Sequence, residues 1–545
     1  ILSPHDKNTV YLAGNAVFKS TDFGLTWTQI SQDLTTNNPE RLKSAGGPIF
    51  PENTSAEYYC TVISLAESPV QANLLWAGSD DGNLQVTADG GKNWTNVVTN
   101  VPGVPAESSV SHVEPSRTNA STAYVTFDRH KFDDYKPYIF KTTDGGKSFT
   151  KISGDLPSNA YVHVVTEDRR NPNLLYAGTE LGLYASYDGG AKWIELNFKN
   201  LPRVAVHDIL IHPRDNDIIL ATHGRSIYVF DDATAIQQLN RSVLDSPANL
   251  FDIRLAYRFS MRMSRYGVGD KIYRGPNPPQ GALITYYLKD KPDAKTQIKF
   301  EVLDSAGKRV TEIKGFPREK GLNRTTWGLT YEGAKQRRPP TPEQMEFGFV
   351  PRGPQVLPGT YTVRMTFGET KIEKTVEVRM DPTIRVTPQQ LAEQLDLAMK
   401  LRDLVSPINE GLRALDSYRL QATQIESVAK ERLGSVPPDA AKALEAYKKR
   451  LTELIRSMAT DPDEGLRGAA RFADQLNGLY FAVAGGNAGP TPIVRENYAT
   501  LSKQVPAKIA EINKFIGDDT AELNKVLQKA GLPIIVAGEQ VKSEK

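Results

Sequence analysis

Short apolar stretches alternate with polar ones through the first 235 residues, and the period of two predicts strands rather than helices. The stretches come in matched sets. A first strand ends in an acidic or polar residue: TVISLAESP (61–69), SVSHVEPS (109–116), VHVVTEDRRNP (162–172) and VHDILIHP (206–213). A second follows: NLLWAGSDDG, STAYVTFDRH, NLLYAGTELG and DIILATHGRS. A third then leads into a turn, and RSIYVFDD (225–232) is the last copy of it. Residues 1–14 resemble 209–222, so the chain starts inside such a set. The expectation is five blades of a β-propeller over 1–235, the first incomplete, forming a partial ring.

After a linker at 236–255 the alternation resumes over 256–382, in ALITYYLK (282–289), TQIKFEVLDSAGKRVTEI (296–313), LNRTTWGLTY (322–331) and TYTVRMTF with KIEKTVEVRM (360–380). This predicts an immunoglobulin-like sandwich with a Pro/Arg-rich loop at 334–356. Thr387-Pro388 then supplies a helix start, and the apolar period changes to that of helices over 387–532. Leu391, Leu395, Ala398, Arg402 and Val405 mark one stripe, Pro407 is expected to break or kink that helix, and further helices are expected near 438–459, 463–484, 494–515 and 519–530. Residues 533–545 read as a disordered tail. The fold class is thus mainly β with α.

Within the propeller region one pattern recurs, S/T-x-D-x-G-x-x-aromatic. It is carried by Asp22, Gly24 and Trp27; by Asp89, Gly91 and Trp94; by Asp144, Gly146 and Phe149; and by Asp188, Gly190 and Trp193. The Asp residues are separated by 67, 55 and 44 positions. This is the Asp-box, or BNR repeat. Its carboxylate accepts hydrogen bonds within the turn, its Gly takes a positive φ, and its aromatic folds onto the core between blades. The role is structural, since one turn cannot be catalytic in every repeat.

Composition narrows the functions. The net charge of +2 offers no excess of Lys or Arg for a nucleic-acid surface. No apolar run is long enough for a membrane span. Cys60 is the single cysteine, so no internal disulfide forms, and no Cys/His cluster has zinc spacing. Neither a metal nor a cofactor is expected. The chain opens on Ile1 without a signal peptide, which leads us to expect a missing N-terminal propeller segment, or a second polypeptide, that completes the ring.

The stretches SGDLPSNAYVHVVTED, NLLYAGTELGLYASYDGGAKW, ATHGRSIYVFDDATAIQQL, NPPQGALITYYLKD, GLNRTTWGLTY and LPGTYTVRMTF resemble those of large secreted bacterial proteins described as sortilin-like or BNR-repeat "glycosyl hydrolases". The resemblance implies export to the periplasm or cell exterior and further propeller upstream. It transfers architecture better than activity, because the hydrolase label rests on the Asp-boxes.

Asp-boxes lie between third and fourth strands, whereas ligands of propellers bind at the opposite face, where second strands turn into third ones. Those loops carry Asp80, Asp81, Arg129, His130, Asp134, Tyr135, Glu180, His223 and Arg225, and the loop with Glu57, Tyr58 and Tyr59 reaches the same rim. Three readings stay open: an ion-pair girdle with Arg225 near Glu180 or Asp81, a rim that binds a glycan or protein, or a catalytic rim with Asp80, Asp133 or Glu180 as carboxylates. His163 and Asp208 fall in one register of the inner strands and face the channel. The leading expectation is an exported binding or scaffold module. The alternatives are a glycoside hydrolase of sialidase or xyloglucanase type, or a structural subunit of a cell-surface assembly.

Overall fold

The computed structural model describes residues 1–43, 59–259, 277–342, 352–460 and 469–542. The chain divides into two units, Ile1–Leu239 and Asn240–Lys545.

The first unit is a run of five small antiparallel sheets of β-propeller type. The second sheet is representative: Val62–Glu67, Leu75–Ser79, Leu84–Thr87 and Thr95–Asn96 pair in chain order. The third and fourth sheets repeat this plan, beginning at Ser109–Pro115 and Val162–Glu167. The fifth consists of Val206–Ile211, Ile218–Thr222 and Ile227–Phe230. In the first sheet Val10–Ala13 pairs with Val17–Ser20, and Leu2 bridges to Val10. The first strands of the second to fifth sheets neighbour one another in succession. Apolar side chains fill the space between sheets, with Trp76, Phe127 and Phe140 in one cluster and Tyr176, Leu183 and Ile209 in another.

Each repeated Asp turn joins a third strand to a fourth and satisfies itself. In the second sheet Asp89 accepts from the Asn93 backbone N–H at 3.0 Å and from the Thr87 hydroxyl at 2.8 Å. Hydrogen bonds of this kind hold Asp22, Asp89 and Asp144 at a pKa of about 2. The closing aromatics pack on the preceding sheet: the indole N–H of Trp94 donates to the Ile30 carbonyl at 3.0 Å, and that of Trp193 to the Ile152 carbonyl at 3.0 Å. Trp27 has no preceding sheet among the described residues and is 41% exposed.

The carboxylates that end the first strands tie sheets together. Glu67 accepts from the Tyr11 hydroxyl of the sheet before it, and Glu167 from Tyr124 in the same way. Glu167 also takes the Ser116 hydroxyl at 2.9 Å and the Arg117 N–H at 2.6 Å.

The expected linker is structured. Helix Thr234–Gln238 lies against the fifth sheet, where Gln237 bonds Asp168 and Asn216, and Ala248–Leu250 is already a strand of the next sheet. The second unit begins with a two-sheet sandwich. Ala248–Leu250, Ala282–Leu288 and Gly321–Trp327 form one sheet. Ala256–Arg258, Thr370–Met380, Gly359–Phe367, Ile298–Leu303 and Arg309–Ile313 form the other. Tyr286, Phe300, Trp327 and Met365 lie in the core between them.

Helix Pro388–Leu433 opens on a Thr387–Gln390 capping box and runs unbroken through Pro407. Leu401, Val405, Ile408 and Leu412 are all buried around the proline, and that packing outweighs one lost backbone bond. The buried stripe is Leu391, Gln394, Leu397, Ala398 and Leu401, turned from the expected one so that Leu395 and Arg402 sit at its margin. Helices Pro438–Met458, Phe472–Ala484, Pro492–Ser502, Val505–Lys514 and Thr520–Lys529 follow; the expected helix at 494–515 is two.

The tail departs from expectation. As far as Val541 it is tied to the helices, because side-chain amides capture its backbone: Asn524 with Ile535, Gln421 with Val536 and Asn513 with Val541, each N–H donated at 2.8 Å. Ile535 is buried. None of the helices of the described residues is long and apolar enough to cross a membrane.

Candidate functional site

A backbone irregularity recurs in the second to fifth sheets. Pairing of the first strand with the second slips by one residue between Val62 and Ser64, Val110 and His112, Val162 and Val164, and Val206 and Asp208. A slip of this kind is a β-bulge, which re-aims one side chain. The bulged residues are Ile63, Ser111, His163 and His207. His163 is therefore the counterpart of His207, and the expected pairing of His163 with Asp208 is one residue out. Asp208 corresponds to Val164.

A second set of equivalent positions lies where the second strands end. The backbone N–H groups of Asp80, Glu180 and His223 donate to Thr61, Tyr161 and Ala205 at 2.9, 3.1 and 3.0 Å. Asp128 occupies the corresponding place opposite Ser109. Successive sheets thus present Asp80, Asp128, Glu180 and His223 beside the bulged residues.

The two sets form an acidic half and an imidazole half. In the acidic half, Asp80, Asp128, Ile63, Ser111, Tyr59, Cys60 and Lys131 are among the residues lining a cavity of about 930 Å³. Burial raises the Asp80 pKa, against the pull of the Thr61 N–H that donates to its Oδ1 at 2.8 Å. Burial also pushes the Tyr59 hydroxyl up to about 12 and raises the Cys60 thiol. Asp128 is bound on both oxygens by His130 Nδ1, at 2.8 and 2.7 Å.

In the imidazole half the rings form a continuous row. His130 stacks on Tyr161 at 4.9 Å, Tyr161 meets His163 edge-on at 5.0 Å, His163 stacks on His207 at 4.0 Å, and His207 lies 4.9 Å from His223. Glu180 Oε2 is 2.9 Å from the Tyr161 hydroxyl and 3.1 Å from His163 Nε2. Burial acts to raise the Glu180 pKa, but the bonds from His163 and Tyr161 outweigh it and the net shift is downward. Desolvation and the neighbouring His163 and His223 lower that of His207.

The other expected rim residues are dispersed. Asp81 is 2% exposed, and Thr36 and Ser79 occupy its oxygens, so it braces the loop instead of facing a ligand. Asp133 is exposed at the end of a short turn, with φ 55°, and its contact is the Tyr135 hydroxyl at 3.4 Å. Asp134 accepts from the Tyr138 hydroxyl at 2.7 Å. Arg129 lies over the Phe132 ring and donates to the Ala106 carbonyl, and Tyr135 is exposed 6.1 Å from Tyr161. Arg225 is exposed, and it is His163 and Tyr161 that engage Glu180. Glu57 and Tyr58 lie outside the described residues.

Sequence reasoning missed Tyr161 and His207. Both stand in the strand repeats, one residue before and one after a valine shared by the inner strands. Aligning on Val62, Val110, Val162 and Val206 would have placed them; aligning on polar residues did not.

No family model matches the chain. A probable oligoxyloglucan-reducing end-specific xyloglucanase of Neosartorya fischeri is 28% identical over 174 residues, which is 28% of this chain and 17% of that protein. A xyloglucanase of a Paenibacillus species is 25% identical over 203 residues, 36% of this chain and 19% of that protein. The chain thus matches under a fifth of the length of these curated relatives. Among solved structures, an ancestral GH74 enzyme aligns with 62% of this chain and 39% of its own at 15% identity and a TM-score of 0.33.

Proposed function

We propose that the first unit carries part of a polysaccharide-binding cleft with glycoside-hydrolase chemistry, and that its substrate is a β-glucan of the xyloglucan class. The observation that carries this reading is the cavity of about 930 Å³ onto which both Asp80 and Asp128 open. A glycosidase needs one carboxyl group kept protonated and a second one ionised. Burial favours the protonated form of Asp80, which suits the acid. Asp128, on the same cavity wall, takes the place of the base or nucleophile. Tyr59 at the cavity wall offers a ring for a sugar face. The short matches to two xyloglucanases support the choice of substrate. The proposal includes export and a ring completed by further propeller sheets.

The test is reducing-end release from xyloglucan oligosaccharides by the full chain, together with affinity for the same oligosaccharides. Asp80→Asn is expected to lower turnover by about 10²-fold or more while binding persists. A second reading, recognition without hydrolysis, is favoured by the engagement of both Asp128 oxygens by His130. Binding with no turnover by the parent chain would select it. Neither binding nor turnover would remove both.

A further inference from the structure

The imidazole half of the site has a second capability. One donor atom from each of His163, Glu180 and His207 lies within 4.8 Å of the other two. In a tetrahedral zinc centre with bonds of about 2.0–2.2 Å, donors stand roughly 3.3–3.6 Å apart. To bind one ion the His163 and His207 rings must turn out of their 4.0 Å stack so that their in-plane nitrogens converge, and His207 and Glu180 have an open side that permits the movement.

We propose that His163, Glu180 and His207 form a binding site for a first-row divalent transition-metal ion, with zinc as the type ion. The backbone accounts for the convergence. His163 and His207 occupy the same bulge in neighbouring sheets, so their rings are delivered to one place by two copies of one irregularity. Glu180 follows directly on Leu175–Thr179, the strand paired with the one carrying His163, and its Oε2 reaches His163 Nε2 at 3.1 Å. A chance pair of surface histidines would have no such common origin.

The surroundings suit an ion. The Tyr161 hydroxyl donates to Glu180 at 2.9 Å and fixes the carboxylate, as outer partners of metal ligands do. His223 stands outside this group of three, in ring contact with His207 at 4.9 Å between centroids. Two imidazoles and one carboxylate favour zinc, cobalt, nickel or copper over calcium or magnesium, which take oxygen ligands. The exposed side of His207 leaves coordination positions for water or a ligand oxygen.

The test reads the metal, not hydrolysis, so it stands apart from the fate of the glycosidase reading. The full chain, stripped with a chelator, is titrated with zinc by calorimetry and with cobalt by visible absorption. One ion per chain is expected, with cobalt giving ligand-field bands that the double variant His163→Ala/His207→Ala lacks. Circular dichroism and melting check that this variant folds. Tyr161→Phe keeps all three ligands and is expected to weaken binding by about 10-fold. Unchanged stoichiometry in a folded double variant, or no ion bound by the parent chain, overturns the proposal. If the double variant fails to fold, Glu180→Gln and Tyr161→Phe decide: affinity unchanged in both overturns it, and weakened affinity in both supports it.

Discussion

Burial moves two titratable side chains of one strand in opposite directions. His112 is lowered from 6.5 to about 4 by desolvation, and its Nδ1 is buried without a hydrogen-bond partner. Desolvation raises Glu114 from 4.5 to about 7, against the nearby Arg117. For His112 the unfolded chain binds more protons between pH 4 and 6.5, so its contribution to stability is present above pH 6.5 and lost as pH falls toward 4. For Glu114 the folded chain binds more protons, so its contribution is present below pH 4.5 and lost as pH rises toward 7. The two slopes cancel between pH 4.5 and 6.5. Glu114→Gln keeps the uncharged shape and removes one of them. Its stability relative to the parent should rise from pH 4.5 to 7 by up to about 1.4 kcal/mol per pH unit. Urea titrations across that range check it, and a difference independent of pH would refute it. Neither residue stands out in the sequence, where each is one polar position in SVSHVEPS. Their shifts come from the neighbouring sheets that cover them, which a strand pattern does not contain.

At the scale of the element, the Asp turns were fully legible because their hydrogen bonds are local. Their glycines do more than the pattern reveals. Gly91 has φ +95°, and a Cβ there would stand 2.4 Å from the Ile30 carbonyl oxygen of the preceding sheet. Gly145 has φ +73° with nothing within 4 Å of such a Cβ. Gly91→Ala should therefore destabilise the first unit by roughly 1–3 kcal/mol beyond Gly145→Ala, which bears the backbone strain alone. Equal losses in chemical denaturation would show that sheet contact at the turn is slack. Elements governed by distant contacts were harder to read. The helix continues through Pro407 because its flanks are buried, and the tail is held by side chains on three helices, of which Gln421 is 115 residues from the Val536 it bonds. The bulges escaped notice for a related reason: an extra residue in one strand is visible only against its partner.

Across the whole molecule, the propeller sheets and the change from strands to helices follow from period alone. The candidate site followed less well, since its cavity depends on which loops turn inward: Asp81 turned to brace Thr36, while Tyr161 and His207 entered the row of rings. The fifth sheet carries a consequence for assembly. Leu210, Ile219 and Val229 form one cross-strand row, and Ile227 lies on the same face. Leu210, Ile227 and Val229 are 48%, 66% and 56% exposed, a contiguous apolar patch of the kind that marks an interaction face. The isolated chain should self-associate through this face. Ile227→Lys with Val229→Lys should return it to a monomer by light scattering, whereas a parent chain already monomeric would refute the prediction. The repeated bulge has a broader implication. The backbone makes the same opening in the inner strands of the second to fifth sheets, whatever side chain fills it, and the fillings are Ile63, Ser111, His163 and His207. Such a position is an interchangeable socket: chemistry can be exchanged there one substitution at a time while the scaffold stays as it is.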